Sequence, residues 1–226
     1  MTQLTPSGEV AVFLDDDQFH AGESVDKCGP EAVSLFWHSV KPGEQNPYTS
    51  AQIHAMAHDD YVRFIGPDVA SNHGGTSNQL LYTMLASHRF SYKPGPADIH
   101  WVQSWLKAGY PVIIGIWEES VHDLALGGNP YNWETRGLTH IIVASGPGTT
   151  GEVLVRDTAN IGPQGVRPGP RRYDTTKLQL VSATMVVPSW LDDPASASPP
   201  PPPIDYLKMA KDAYATLGTA IQHLHQ

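Results

Sequence analysis

"ADIHWVQSWLKAGYPVIIGIW", Ala97–Trp117, changes its hydrophobic period halfway along. Up to Ala108 the apolar residues Ile99, Val102 and Leu106 recur at spacings of three and four, the pattern of a helix with one buried face. Gly109 then offers a helix stop, because glycine takes the left-handed conformation at little cost. Beyond it, "YPVIIGIW" is a β-branched run suited to a pleated surface. The change from helix to strand within a few residues divides the chain, with helical patterns before it and strand patterns after it.

Upstream, Cys28 to about Val40 reads as a helix: Pro30 suits the first turn, Glu31 suits the positive N-terminal end, and Ala32, Val33, Leu35 and Phe36 form the buried face. "SNQLLYTMLASH" is a second helix, with Leu80, Leu81, Met84 and Leu85 on one side. Downstream, "THIIVASG", "GEVLVRDT" and "LVSATMVVP" are strands separated by Gly/Pro-rich turns. This order predicts an α+β fold in which N-terminal helices pack on a C-terminal antiparallel β-sheet. The repeated strand–helix alternation of a parallel sheet is absent.

The 226 residues suffice for one large domain with a sizeable core. Fourteen basic against 23 acidic residues give a net charge of −9, which argues against a nucleic-acid or anionic-membrane surface. No apolar stretch approaches the ~20 residues of a membrane span. The N-terminal stretch lacks the basic and apolar regions of a signal peptide, so cytoplasmic synthesis is expected, with any release by another route. A single cysteine permits no internal disulfide. "LDDPASASPPPPP" (191–203) reads as a semi-rigid linker, dividing a main domain (1–190) from a C-terminal amphipathic helix (204–226). In that helix Leu207, Ala210, Tyr214, Leu217, Ile221 and Leu224 form a short heptad seam, for pairing with another chain, for docking back on the body, or as part of a further domain.

The one thiol, Cys28, stands at the start of the first helix. There the helix dipole and unpaired backbone N–H groups favour thiolate over thiol and could hold an oxyanion during acyl transfer. The plainer alternative is a buried structural cysteine. A nucleophilic thiolate needs an imidazole. Among 11 histidines, His140 stands out because it opens the strand "THIIVASG" directly after a polar loop. If the next strand pairs with it as an antiparallel hairpin, Asp157 at that strand's end falls at the same sheet edge and can orient the imidazole, with Asn160 as a second choice. Asp157 as a simple turn residue is the alternative.

Taken together, "CGPEAVSLF", "GGTSNQLLYTMLAS", "WVQSWLKAGYPVIIGI", "THIIVASG" and "VLVRDTAN" resemble the bacteriocin-processing-peptidase-like branch of the papain-like cysteine peptidases, over roughly Gln18 to Val187. The resemblance implies a papain-like fold, with Cys28 as nucleophile, His140 as general base and acid, and Asp157 as orienter. No metal and no cofactor are expected. The family also uses a glutamine upstream of the cysteine as oxyanion donor. Gln18 is the nearest candidate, at ten residues' separation, longer than in compact members. Were it displaced, the Cys28 backbone N–H would carry most of the oxyanion stabilisation.

Other constellations are weaker. "HAMAHDD" puts His54 and His58 one helical turn apart, but Ala55 stands where a zinc protease carries Glu, so a solvated helix face is expected. "NHGGTSNQ" lacks the Gly-Lys-Ser/Thr of a phosphate loop and reads as a turn and helix cap. In the loop 123–134, Tyr131 and Trp133 are candidate walls of a substrate cleft or core packing residues. The expected activity is a thiol protease or related hydrolase cleaving a peptide-type bond through a thioester. By analogy of architecture, a soluble catalytic domain with a Pro-rich linker suggests a phage-type peptidoglycan hydrolase acting on cell-wall peptides. The same residues also serve acyl transfer to an amine. The alternative from another class is a catalytically silent papain-like module that binds peptides and oligomerises through its C-terminal helix.

Overall fold

Helix α1 (Cys28–His38) is buried almost all round, with Ala32, Val33, Leu35 and Phe36 at most 5% exposed. A helix buried on every side belongs inside a core, against several elements at once. The computed structural model describes residues 8–10, 12–13, 28–40, 44–65, 76–117, 139–157, 161–162, 165–166 and 170–188. The linker at 191–203 and the helix expected at 204–226 lie outside the described residues.

α1 stops two residues before Val40, because Ser39–Val40 is drawn out as strand β2 to pair antiparallel with β1 (Val12–Phe13). Helix α2 (Ser50–Asp60) opens on a capping box between Thr49 and Gln52 and runs into one π-helical turn, Tyr61–Ile65. Helix α3 (Asn78–Ser87) starts at Ser77, whose hydroxyl accepts the Leu80 N–H at 3.3 Å, the cap expected from "NHGGTSNQ". Helix α4 (Ile99–Ala108) is capped by Asp98 and stopped by Gly109 at φ 95°, where a side chain would be strained.

The remaining strands are β3 (Ser91–Gly95), β4 (Val112–Trp117), β5 (Thr139–Gly146), β6 (Glu152–Arg156), β7 (Ile161–Gly162), β8 (Gly165–Val166), β9 (Arg171–Asp174) and β10 (Leu180–Val187). Six of them form one antiparallel sheet in the order β3-β10-β4-β5-β6-β9, and β7 pairs with β8. The architecture is therefore α+β, as the helix-to-strand change predicts. It departs from a purely C-terminal sheet in one strand: β3 lies between α3 and α4. Its Pro94 and Gly95 conceal a strand signal, and a proline is tolerated there because β3 is at the sheet edge.

Both sheet faces are covered. Val102, Trp105 and Leu106 of α4 pack with Ile114, Ile116, Ile142, Val153 and Val155. On the other face α1 and α3 pack with Ile113, Ile141, Val143 and Val186. A strand buried on both sides needs apolar residues at successive positions, which explains the unbroken run "VIIGI". Each fully buried Ile, Leu or Met contributes roughly 1.5–3 kcal/mol, so this central sheet is a stiff support for whatever projects from its ends. No helix among the described residues is long and apolar enough to cross a membrane.

Candidate active site

Cys28 is the first residue of α1 and 9% exposed. The next residue must be glycine: any side chain at Gly29 would collide with Thr76, just ahead of α3. That close approach locks the start of α1 against the chain leading into α3, and so fixes where the sulfur can sit.

His140 is the second residue of β5, in register with Ile116 of β4. Asp157 directly follows β6. The β5–β6 register pairs Arg156 with Val143, which sets Asp157 level with Ile142, diagonal to His140 on the neighbouring strand. His140 Nε2 lies 2.7 Å from Asp157 Oδ1, the two side chains being 13% and 4% exposed. The Cys28 side chain lies near enough to act on the charge of the imidazole. With Nε2 engaged by the carboxylate, Nδ1 is the nitrogen left for sulfur. Cys28 belongs to the apolar cluster of α1 and α3, whereas Asp157 continues the row of Val153 and Val155 on the α4 face. At the end of the sheet, the imidazole joins the two.

Burial by itself works against a charged imidazole. The Asp157 charge and hydrogen bond, helped by Cys28, outweigh it and raise the His140 pKa from 6.5 to about 10. A cation is thus held beside the sulfur across neutral pH.

The structure adds residues that the sequence did not reveal. Tyr173 of β9, fully buried, donates its hydroxyl to Asp157 Oδ2 at 2.6 Å. Burial, then the carboxylate's charge and hydrogen bond, push its ionisation well above the ordinary range, against a weaker pull from Arg171. One residue before Asp157, Arg156 makes a buried two-pronged ion pair with Glu9, Nε to Oε1 and Nη2 to Oε2, both at 2.7 Å. Val10 N–H donates to Ser145 O at 2.8 Å, so the segment 8–10 lies across the ends of β5 and β6. A charged residue inside the apolar run "VLVRDT" was the available signal for Arg156, since a buried guanidinium needs a partner. Nothing in "RRYD" marks Tyr173.

Gln18, Tyr131, Trp133 and Asn160 lie outside the described residues. His54 and His58 are exposed on α2, as a solvated face requires, and among the described residues no three His, Cys, Asp or Glu side chains cluster as a metal site. A second imidazole–carboxylate pair, His88 Nε2 to Asp60 Oδ2 at 2.6 Å, ties the end of α2 to the residue after α3, where His88 meets the Trp37 ring edge-on. No protein-family profile matches the chain, and no curated protein matches it.

Proposed function

We infer that the protein is a papain-like, cysteine-dependent hydrolase that cleaves a peptide-type bond through a thioester. The reading is supported above all by one observation: the partly buried imidazole of His140, hydrogen-bonded to the Asp157 carboxylate, lies beside the side chain of the only cysteine. A structural cysteine has no need of such a partner.

The chemistry follows from these groups. The Cys28 sulfur, as thiolate beside the His140 imidazolium, attacks the carbonyl carbon and forms the C–S bond. Negative charge moves to the carbonyl oxygen, which the backbone N–H groups of Cys28 and Gly29 at the start of α1 can stabilise. His140 then gives its proton to the leaving amine as the C–N bond breaks, leaving a thioester. In the acyl form the sulfur carries no charge, so the Cys28 contribution to His140 basicity disappears. The neutral imidazole then takes a proton from water, whose oxygen attacks the thioester, and the thiolate leaves. Throughout, Asp157 on Nε2 keeps Nδ1 turned to the sulfur.

The substrate class proposed is peptide, with cell-wall peptides the first to try, by analogy of architecture with modular hydrolases. The test is to mix the protein with peptidoglycan fragments and a panel of peptides, quench in acid and read the intact mass. An acyl adduct on Cys28 that is absent in Cys28→Ala, together with cleaved peptide, is the expected result. Cleavage that persists in Cys28→Ala would overturn the reading.

A further inference from the structure

Two oxygens of Asp157 are available, and the site chemistry above uses only one. Oδ1 meets His140 Nε2 at 2.7 Å, and Oδ2 accepts the Tyr173 hydroxyl at 2.6 Å. A carboxylate held at one oxygen can still turn about its last torsion, which has only a soft, two-fold preference. Held at both, its plane is fixed, and with it the plane of the imidazole. Tyr173 reaches Asp157 from β9, a strand that pairs with β6 through Tyr173 and Val153. The tie therefore connects the edge of the sheet to the end of β6.

We propose that Tyr173 is a positioning residue, whose hydroxyl fixes the Asp157 carboxylate and so holds the His140 ring in line with the Cys28 sulfur. The inference rests on the cysteine-hydrolase reading of that site. Tyr173 is 0% exposed, so it does not touch substrate; it acts through Asp157. The phenol keeps its proton, and hence its role as donor, over any working pH, because burial and the adjacent carboxylate oppose its ionisation. Of the neighbouring cations, Arg171 exerts a weaker pull on the phenol, and Arg156, adjacent in the chain to Asp157, pairs with Glu9. The cation that Asp157 Oδ1 meets is His140.

The test uses the full chain and iodoacetamide as probe, so that no substrate need be known. Tyr173→Phe keeps the ring and removes one oxygen. Its Cys28 alkylation rate at pH 6 should fall about fivefold or more, while Asp157→Asn should cause a similar fall. In the Asp157→Asn background, adding Tyr173→Phe should change the rate less than about twofold, because two residues acting as one unit are not additive. A Tyr173→Phe rate equal to wild type, or an equal fall in both backgrounds, would overturn the proposal. So would an unchanged titration midpoint of His140 in Tyr173→Phe, read by 15N NMR. Should that variant not fold, the wild type still decides: the Tyr173 hydroxyl proton should appear as a slowly exchanging low-field resonance that moves as His140 titrates. Its absence would overturn the proposal. If wild type itself is alkylated only near the ~8.5 of a free thiol, it is the cysteine-hydrolase reading that fails.

Discussion

Burial would strip the proton from an isolated imidazole, yet His140 keeps it to about pH 10, because Asp157, and then Cys28, supply more than burial removes. The sign for stability follows directly. The folded-state pKa lies above the unfolded value of 6.5, so the stabilisation is fully present below about pH 6.5 and is lost as pH rises toward 10. Comparing wild type with His140→Gln by thermal melting at intervals across that window should show the wild-type advantage shrinking steadily. An advantage that is flat from pH 6 to 10 would show that His140 is not charged in the folded protein. Cys28, His140 and Asp157 were readable as candidates because each sits at an element boundary beside an apolar run. Tyr173 was not, since a buried tyrosine in a short polar strand has the same sequence pattern whether it packs or positions a carboxylate.

At the scale of elements, the site is a product of the β5–β6 hairpin. Its register brings His140 and Asp157, 17 residues apart, into contact, which is why reading the two runs as an antiparallel pair was enough to join them. The strand ends are held further by the Glu9–Arg156 pair, which draws the segment 8–10 onto the neighbouring strands. Losing one partner of a buried pair of this kind typically costs about 3–5 kcal/mol, since the other charge is left stranded. Sequence patterns foresaw α1, α3, α4 and the long strands, where hydrophobic period and caps agree. They missed β3, whose Pro94 reads as a break, and the extension of Ser39–Val40, which depends on the distant partner β1. They also gave no sign of the strand order. Placing β10 between β3 and β4 is a long-range pairing, fixed by tertiary packing and not by local preference.

At the scale of the whole molecule, the last strand of the main sheet, β10, ends at Val187, ahead of the Pro-rich segment. Five consecutive prolines, at ~3 Å per residue, carry the C-terminal helix expected at 204–226 up to about 15 Å onward. A chain ending near Asp193 should therefore melt within about 2–4 °C of the full chain, the shift that ~1 kcal/mol produces at this size. It should also be monomeric by light scattering, with the full chain more prone to self-association. A larger fall in melting temperature would show the helix to be part of the core. The central claim, that the molecule exists to activate one thiol, is tested most directly by native alkylation. At pH 6 a free thiol is only ~0.3% thiolate, given its pKa of ~8.5. A thiol activated by an adjacent imidazolium should react about tenfold faster than that or more. Iodoacetamide added to the folded protein at pH 6 should modify Cys28 at such a rate, and His140→Ala should bring it down to the free-thiol rate. Labelling that begins only near pH 8.5, or only after unfolding, would contradict the account.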